Sequence, residues 1–245
     1  MSLRIVTYNI HKGIGNDGKF NLDRTIRLLH ESDADVICLQ EVDHDVPRSG
    51  HQNLAAVIAG ELQMEFRLEV NVRLKHGAYG NATLTRLQIQ DSKNLDLTWR
   101  IKKKRGSLVT RLLDAEKREF LVYNIHLGLA AFERSWQLHR LLTSDFHREY
   151  HDNAILIAGD TNDSRHRLNQ MVEVGGFKDT CQTRLQRSNF SFPAYAPVIR
   201  IDKIYYNKYW KLLKHHVMQG SLARITSDHR PVWADLELLA GKADS

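Results

Sequence analysis

Short apolar runs recur along the chain, and several stop abruptly at a polar residue. Residues 3–8 end at Asn9, 34–39 at Gln40 and Glu41, 120–125 at His126, and 154–158 at Gly159 and Asp160. Each run is rich in Val, Ile, Leu or Tyr and bounded by turn formers, the pattern of strands buried on both faces. Four strands therefore deliver polar tips. Helical patterns lie between them. Residues 21–31 carry Ile26, Leu28 and Leu29 as an apolar stripe, and further helices are predicted over 53–62, 133–150 and 165–174. Asn21 and Asn53 stand where N-caps belong, and Gly60 weakens the end of the second helix. Residues 81–101 and 107–123 read as strands, with 102–106 as a solvated turn between them. Two more strands are expected over 200–207 and 231–239, and 241–245 reads as a frayed tail. No linker, repeat or low-complexity block interrupts the text. Strands mixed with helices throughout predict one α+β domain over 1–245, built of two packed sheets flanked by helices.

Composition narrows the class without naming a function. Hydrophobic residues make up 42% and charged residues 26% of 245, ordinary values for a folded protein. No stretch approaches the roughly 18 apolar residues that a membrane helix needs. The amino end opens as a strand without the features of a signal peptide. Cys38 lies in an apolar run, and with Cys181 it is too few for a disulfide framework or a cysteine zinc site. A cytoplasmic, monomeric protein without a disulfide is the expectation. The net charge of +6 leans towards a polyanionic partner but also suits plain solubility.

The tips share a chemistry. Asn9, Glu41, Asp160, Asn162 and Asp228 offer hard oxygen atoms, while His126 and His229 add imidazoles that exchange protons near neutral pH. Carboxylate and amide oxygens without sulfur suit magnesium or manganese, ions that keep waters and a substrate phosphate in their shell. Phosphoryl transfer needs that combination. Taken singly, each residue has a plain structural reading. Asn9 is a strand-ending turn residue, Gln40 and Glu41 are the solvated end of the run 34–39, His126 is a bonded core histidine, residues 159–163 make an Asx turn, and Asp228 helps a turn.

The order of the pieces is more specific than any member. Tyr8-Asn9-Ile10-His11-Lys12-Gly13, Leu39-Gln40-Glu41-Val42, Tyr79-Gly80-Asn81-Ala82, Asn124-Ile125-His126-Leu127, Gly159-Asp160-Thr161-Asn162, Ile201-Asp202-Lys203-Ile204 and Ser227-Asp228-His229-Arg230-Pro231-Val232 follow one another from residue 8 to residue 232. In this order the chain resembles the endonuclease/exonuclease/phosphatase superfamily, whose fold is shared by pancreatic-type DNases, apurinic endonucleases and bacterial sphingomyelinases. The resemblance implies a DNase-I-like, four-layered α/β/β/α sandwich of two mostly antiparallel sheets. It also implies a hydrolase that uses Mg2+ or Mn2+ to cleave a phosphodiester or phosphomonoester by in-line attack of water. Glu41 matches the principal metal carboxylate, with Asn9 and Asp228 near the same ion. Asp160 and Asn162 match the pair that positions water, His229 the histidine on the scissile phosphate, and Asp202 the acid that orients it. His126 matches a second histidine; Asn9, His126, Asn162 and His229 would hold the phosphate. Whether Asp160 or His229 takes the proton of water is open at this level.

Departures bear on the substrate. Apurinic endonucleases carry an acid and a tyrosine where this chain has His11 and His126, which draws it towards sphingomyelinase-like and general phosphodiesterases. Yet no loop reads as the exposed apolar hairpin with which sphingomyelinases dock on lipid. Thr161 replaces the commoner Phe, as in the tyrosyl-DNA phosphodiesterase branch. Three readings follow: a nuclease or general phosphodiesterase, a hydrolase of phospholipid head groups or soluble phosphoesters, and a silent phosphate-binding module. Residues 102–105 read as a charged turn guarding a sheet edge rather than a nucleic-acid track. Arg134 reads as part of a solvated helix face, with a phosphate contact as the alternative. Residues 11–15 do not fit a P-loop. Phe190, Phe192, Pro193 and Tyr195 form an aromatic loop that either approaches the site or covers the core.

Overall fold

In the computed structural model, which describes residues 2–183 and 186–239, the four predicted inner strands fall in two parallel pairs. The first pair is β1 (Ser2–Asn9) and β2 (Val36–His44), crossed over by α1 (Leu22–Ser32). Helix α1 begins at Asn21, whose side chain accepts the amide proton of Arg24. After α2 (Leu54–Leu62), similarly capped by Asn53, come β3 (Glu65–Arg73) and β4 (Ala78–Thr85). The second sheet begins with β5 (Gln88–Asp96) and β6 (Gly106–Leu113). Its own parallel pair is β7 (Glu119–His126) and β8 (Ala154–Asp160), separated by α3 (Ala131–Leu142) and α4 (Asp145–Glu149). Helix α5 (Asn169–Val174), the short β9 (Lys178–Asp179) and β10 (Asp202–Tyr206) complete that half. The chain returns to the first sheet through β11 (Trp210–Val217), α6 (Ser221–Ile225) and β12 (Val232–Leu238).

The strand orders are β11-β12-β1-β2-β4-β3 and β5-β6-β7-β8-β10-β9. Each sheet has one parallel pair at its centre and antiparallel pairs around it. The expected α/β/β/α layering follows from alternation of side chains along these strands. Ile5, Cys38, Val122 and Leu156 face the other sheet in one shared core. Val6, Ile37 and Leu39 face outward beneath α1 and α2, and Leu121, Tyr123, Ile155 and Ile157 beneath α3 and α5. On the inner parity the apolar series runs out towards one end of the sandwich and becomes Asn9, Gln40, Asn124, His126 and Asp160. The polar tips are thus the end of the inter-sheet layer itself.

Several expected elements differ. The helix expected over 133–150 breaks at Thr143, because the Ser144 hydroxyl accepts the His147 amide and starts a new helix. The one expected over 165–174 begins only at Asn169, since the Asp163 carboxylate takes the amides of Arg167 and Leu168 in a turn. The strand expected over 81–101 is two, β4 and β5, and 97–105 is a surface connection with Ile101 fully exposed. The tail 241–245 lies outside the described residues. Both cysteines are buried, and burial pushes the Cys38 thiol pKa up. Among the described residues no helix is long and apolar enough to cross a membrane.

Candidate active site

Register brings the tips together. Asn9 lies opposite Gln40 across the first parallel pair, and His126 opposite Asp160 across the second. Asp202 opens β10 directly opposite Asp160, and Asp228-His229 lead into β12, which pairs with β1. Asn9, Glu41, His126, Asp160, Asn162, Asp228 and His229 all line one cleft of about 410 Å³. Asp202 lies immediately behind it, buried against His229. Two backbone features aim the groups. Gly159 is obligatory, since a Cβ there would lie 1.9 Å from the Ile125 carbonyl oxygen. A bulge between Leu39 and Val42 carries Glu41 at φ +56°. Plain alternation would turn Glu41 outward, and the bulge re-aims it into the cleft.

A chain of contacts links the buried groups. The Ser191 hydroxyl donates to Asp202 Oδ2 at 2.5 Å, and the same carboxylate holds His229 Nδ1 at 2.9 Å. His229 Nε2 points at Asp160 Oδ2, 3.7 Å away, and His126 Nε2 is 3.5 Å from that oxygen. Asn9 Nδ2 donates to Asp160 Oδ2 (3.1 Å), and the Asn162 amide to Asp160 Oδ1 (2.9 Å). Burial works against the His229 cation, but Asp202 and Asp160 outweigh it and raise the pKa to about 10. Burial lifts the Asp160 carboxyl to about 6, with Asp202 adding to the rise and His229 opposing it. Burial, and then the Arg105 cation, drive the His126 pKa well below its usual value, so that imidazole is neutral.

A match to the family model described as "Endonuclease/Exonuclease/phosphatase family" covers residues 6–229. The chain belongs to the endonuclease/exonuclease/phosphatase family. A relative in Escherichia coli, the uncharacterized protein YbhP, is 30% identical, with 97% of each chain covered. Among solved structures, the endonuclease/exonuclease/phosphatase from Bacteroides vulgatus superposes with a TM-score of 0.80 at 19% identity, covering 97% of this chain and 99% of its own. The mannosyl-6-phosphatase Bt3783 of Bacteroides thetaiotaomicron reaches 0.75 at 16% identity, covering 96% and 100%. A truncated Caenorhabditis elegans TDP2 reaches 0.69 at 15% identity, covering 96% and 97%. At these identities the structures speak for the fold.

The donors suit the divalent cation that is typical of the family. Glu41, Asn9 and Asp228 supply oxygens to one cleft, and hard oxygen donors match a hard cation. Burial opposes the Glu41 charge, but Lys12, Lys103 and His11 hold its pKa below the usual range, and the Lys12 ammonium bonds the carboxylate directly. Glu41 is therefore an anion already stabilised by positive charge. Asp160, Asp202 and His229 also lie within coordinating distance of one another. There, however, Asp202 is committed to Ser191 and His229, so that group reads better as a proton-handling chain than as a cage.

Some groups in and behind the cleft had no role assigned from sequence, and others stand differently from the expectation. Arg105 is 6% exposed, its Nε has no hydrogen-bond partner, and it lines the cleft with Lys12 and Lys103. The expected solvated turn 102–105 therefore turns one cation inward. Asn124 crosses between the sheets, its Nδ2 donating to the Leu39 and Ala82 carbonyls while its Oδ1 accepts from Gln40 Nε2. Asn81 returns the link by donating to the Gly106 and Asn124 carbonyls. Arg134 is neither solvated nor a lining residue: it is buried and donates to the Leu129 carbonyl, because the first turn of α3 folds back under the loop after β7. Of the aromatic loop, Phe192 lines the cleft and packs on His229 with ring centroids 4.9 Å apart, whereas Tyr195 faces a separate hollow beside Arg224.

Proposed function

We propose that the protein is a divalent-metal-dependent phosphodiesterase that attacks phosphorus with water. The observation that carries this reading is the single cleft in which the Asp202–His229–Asp160 chain faces Glu41 and the inward cation Arg105. Glu41, with Asn9 and Asp228, would hold Mg2+ or Mn2+; when bound, the ion supplies neutralising charge to the phosphate oxygens. His229, held protonated by Asp202, donates from Nε2 to a non-bridging oxygen rather than acting as base. Asp160, lifted towards neutrality and oriented by Asn9 and Asn162, accepts the proton of the attacking water while the P–O bond to the leaving alcohol breaks on the opposite side and its oxygen takes a proton from bulk water. Neutral His126 steadies the phosphate from the opposite strand. Arg105 meets a second non-bridging oxygen with charge already in place, where the phosphodiester monoanion gains further negative charge as water attacks.

The test is turnover of bis-p-nitrophenyl phosphate with added magnesium or manganese. EDTA is expected to abolish it and excess metal to restore it. Glu41→Gln, Asp160→Asn and His229→Gln should each reduce kcat/KM at least a hundredfold, the order expected for removing one group of such a site. Turnover that survives chelation, or that is indifferent to all three substitutions, would overturn the reading.

A further inference from the structure

Beside the cleft, the connection 97–105 meets the start of α3. Trp99 packs edge-on against Trp136, with ring centroids 4.8 Å apart, and against Phe132 at 6.1 Å. From this aromatic base large apolar side chains project: Ile101 is fully exposed, Leu129 is 77% exposed and Phe132 58%. Arg100, Lys102, Lys103 and Lys104 stand among them, all exposed. Lys103 and Leu129 also line the cleft, so the patch runs to its mouth. Scattered surface apolar residues need no explanation, but a cluster of this kind ringed by cations does. A turn that only guarded a sheet edge would have no use for an isoleucine at its tip.

We propose that this patch is a docking surface for an anionic phospholipid bilayer. Ile101, Leu129 and Phe132 enter the head-group boundary, Trp99 and Trp136 brace them from the protein side, and the cations lie among lipid phosphates. Two other partners fit less well. A single-stranded nucleic acid would satisfy the cations, but stacking bases needs open aromatic faces, whereas Arg100 lies over the Trp99 ring at 5.1 Å and Arg140 over the Trp136 ring at 5.3 Å, and the most exposed groups are aliphatic. A second copy docked symmetrically would set these cations against their own equivalents. Docked in this way, the cleft opens beside the membrane, and an ester within a phospholipid head group lies within its reach. That last step rests on the hydrolase reading; the docking does not.

The experiment is co-sedimentation with vesicles of phosphatidylcholine alone and of phosphatidylcholine mixed with phosphatidylglycerol. The protein is expected to partition onto the mixed vesicles, less so as salt is raised. Ile101→Glu and Phe132→Glu should each lower partitioning about tenfold or more, because an inserted apolar side chain becomes a charge. Lys102→Glu should narrow the preference for phosphatidylglycerol. Thermal melting and turnover of soluble bis-p-nitrophenyl phosphate should stay at the wild-type level in all three variants. Failure to sediment, or sedimentation unaffected by Ile101→Glu and Phe132→Glu, would overturn the proposal. So would tighter binding of a single-stranded oligonucleotide than of mixed vesicles. Vesicle binding without any turnover would overturn the hydrolase reading and leave docking intact, and turnover without vesicle binding would do the reverse.

Discussion

Replacing Arg105 by methionine removes a buried cation while keeping most of its stem, and it separates a functional from a structural role. Arg105 is 6% exposed, its Nε is unpartnered, and burial lowers its pKa despite Asp160 and Glu41 nearby. A buried donor left unmade costs about 1–3 kcal/mol. The bonds between the Arg105 backbone and the Thr98 hydroxyl do not depend on the arginine side chain. The variant should therefore be more stable by about 1 kcal/mol, a rise of about 2–4 °C in Tm for a chain of this size. Catalysis should move the other way. A preorganised donor facing developing charge is worth about 100- to 1000-fold in kcat, or roughly 3–4 kcal/mol. Arg105→Lys should recover only part of that, since an ammonium lacks the planar fork of donors. The assay pairs kcat/KM for bis-p-nitrophenyl phosphate with melting in the presence and absence of inorganic phosphate. Phosphate should raise the Tm of the wild type, and much less that of the methionine variant. A variant that melts lower while keeping full kcat/KM would refute the argument, because Arg105 would then be holding the 97–105 connection rather than meeting substrate.

Further outcomes follow from other parts of the site. The His229 pKa is raised in the fold to about 10. Its stabilising contribution is therefore complete below the ordinary value near 6.5 and lost as pH rises through about 10. Urea unfolding at a series of pH values in EDTA should show that decline, and Asp202→Asn should flatten it; equal slopes for the two proteins would count against the pairing. Asn124→Ala strips partners from the Leu39 and Ala82 carbonyls and from Gln40, and should cost about 3 kcal/mol in the same titration. Gly159→Ala cannot be accommodated with its Cβ 1.9 Å from a carbonyl oxygen, and soluble, wild-type-like expression of that variant would contradict the packing of β7 on β8.

The inner strands and their tips were legible because strands buried on both faces write themselves as unbroken apolar runs, and a polar residue at the end of such a run must find partners. The edge strands of the first sheet were not. In β3, Glu65, Arg67 and Glu69 alternate with Phe66, Leu68 and Val70, and in β11 two lysines and two histidines interrupt four apolar residues, so neither reads as a continuous run. The break before α4 was available in principle, since Ser144 is an N-cap within the helical stretch. The aim of Glu41 was hidden, because a bulge depends on the partner strand as much as on the residue itself. Arg105 was hidden for a different reason: in a run of four cations nothing local marks the one that turns inward. The same loop hid Trp99 and Ile101, which read as strand residues until the chain was seen to leave the sheet after Asp96.

The reacting groups stand on strand ends that Asn124, Gln40 and Asn81 tie across the two sheets, whereas the outer wall of the cleft is made by surface connections. On the reading proposed above, machinery and address are separate parts of the fold. On the proposed function, exchanging the segment around Ile101, or the stretch that carries Phe192, is expected to change which ester is held without retuning a proton. A slip of one sheet over the other is expected to scatter the polar groups of the cleft all at once.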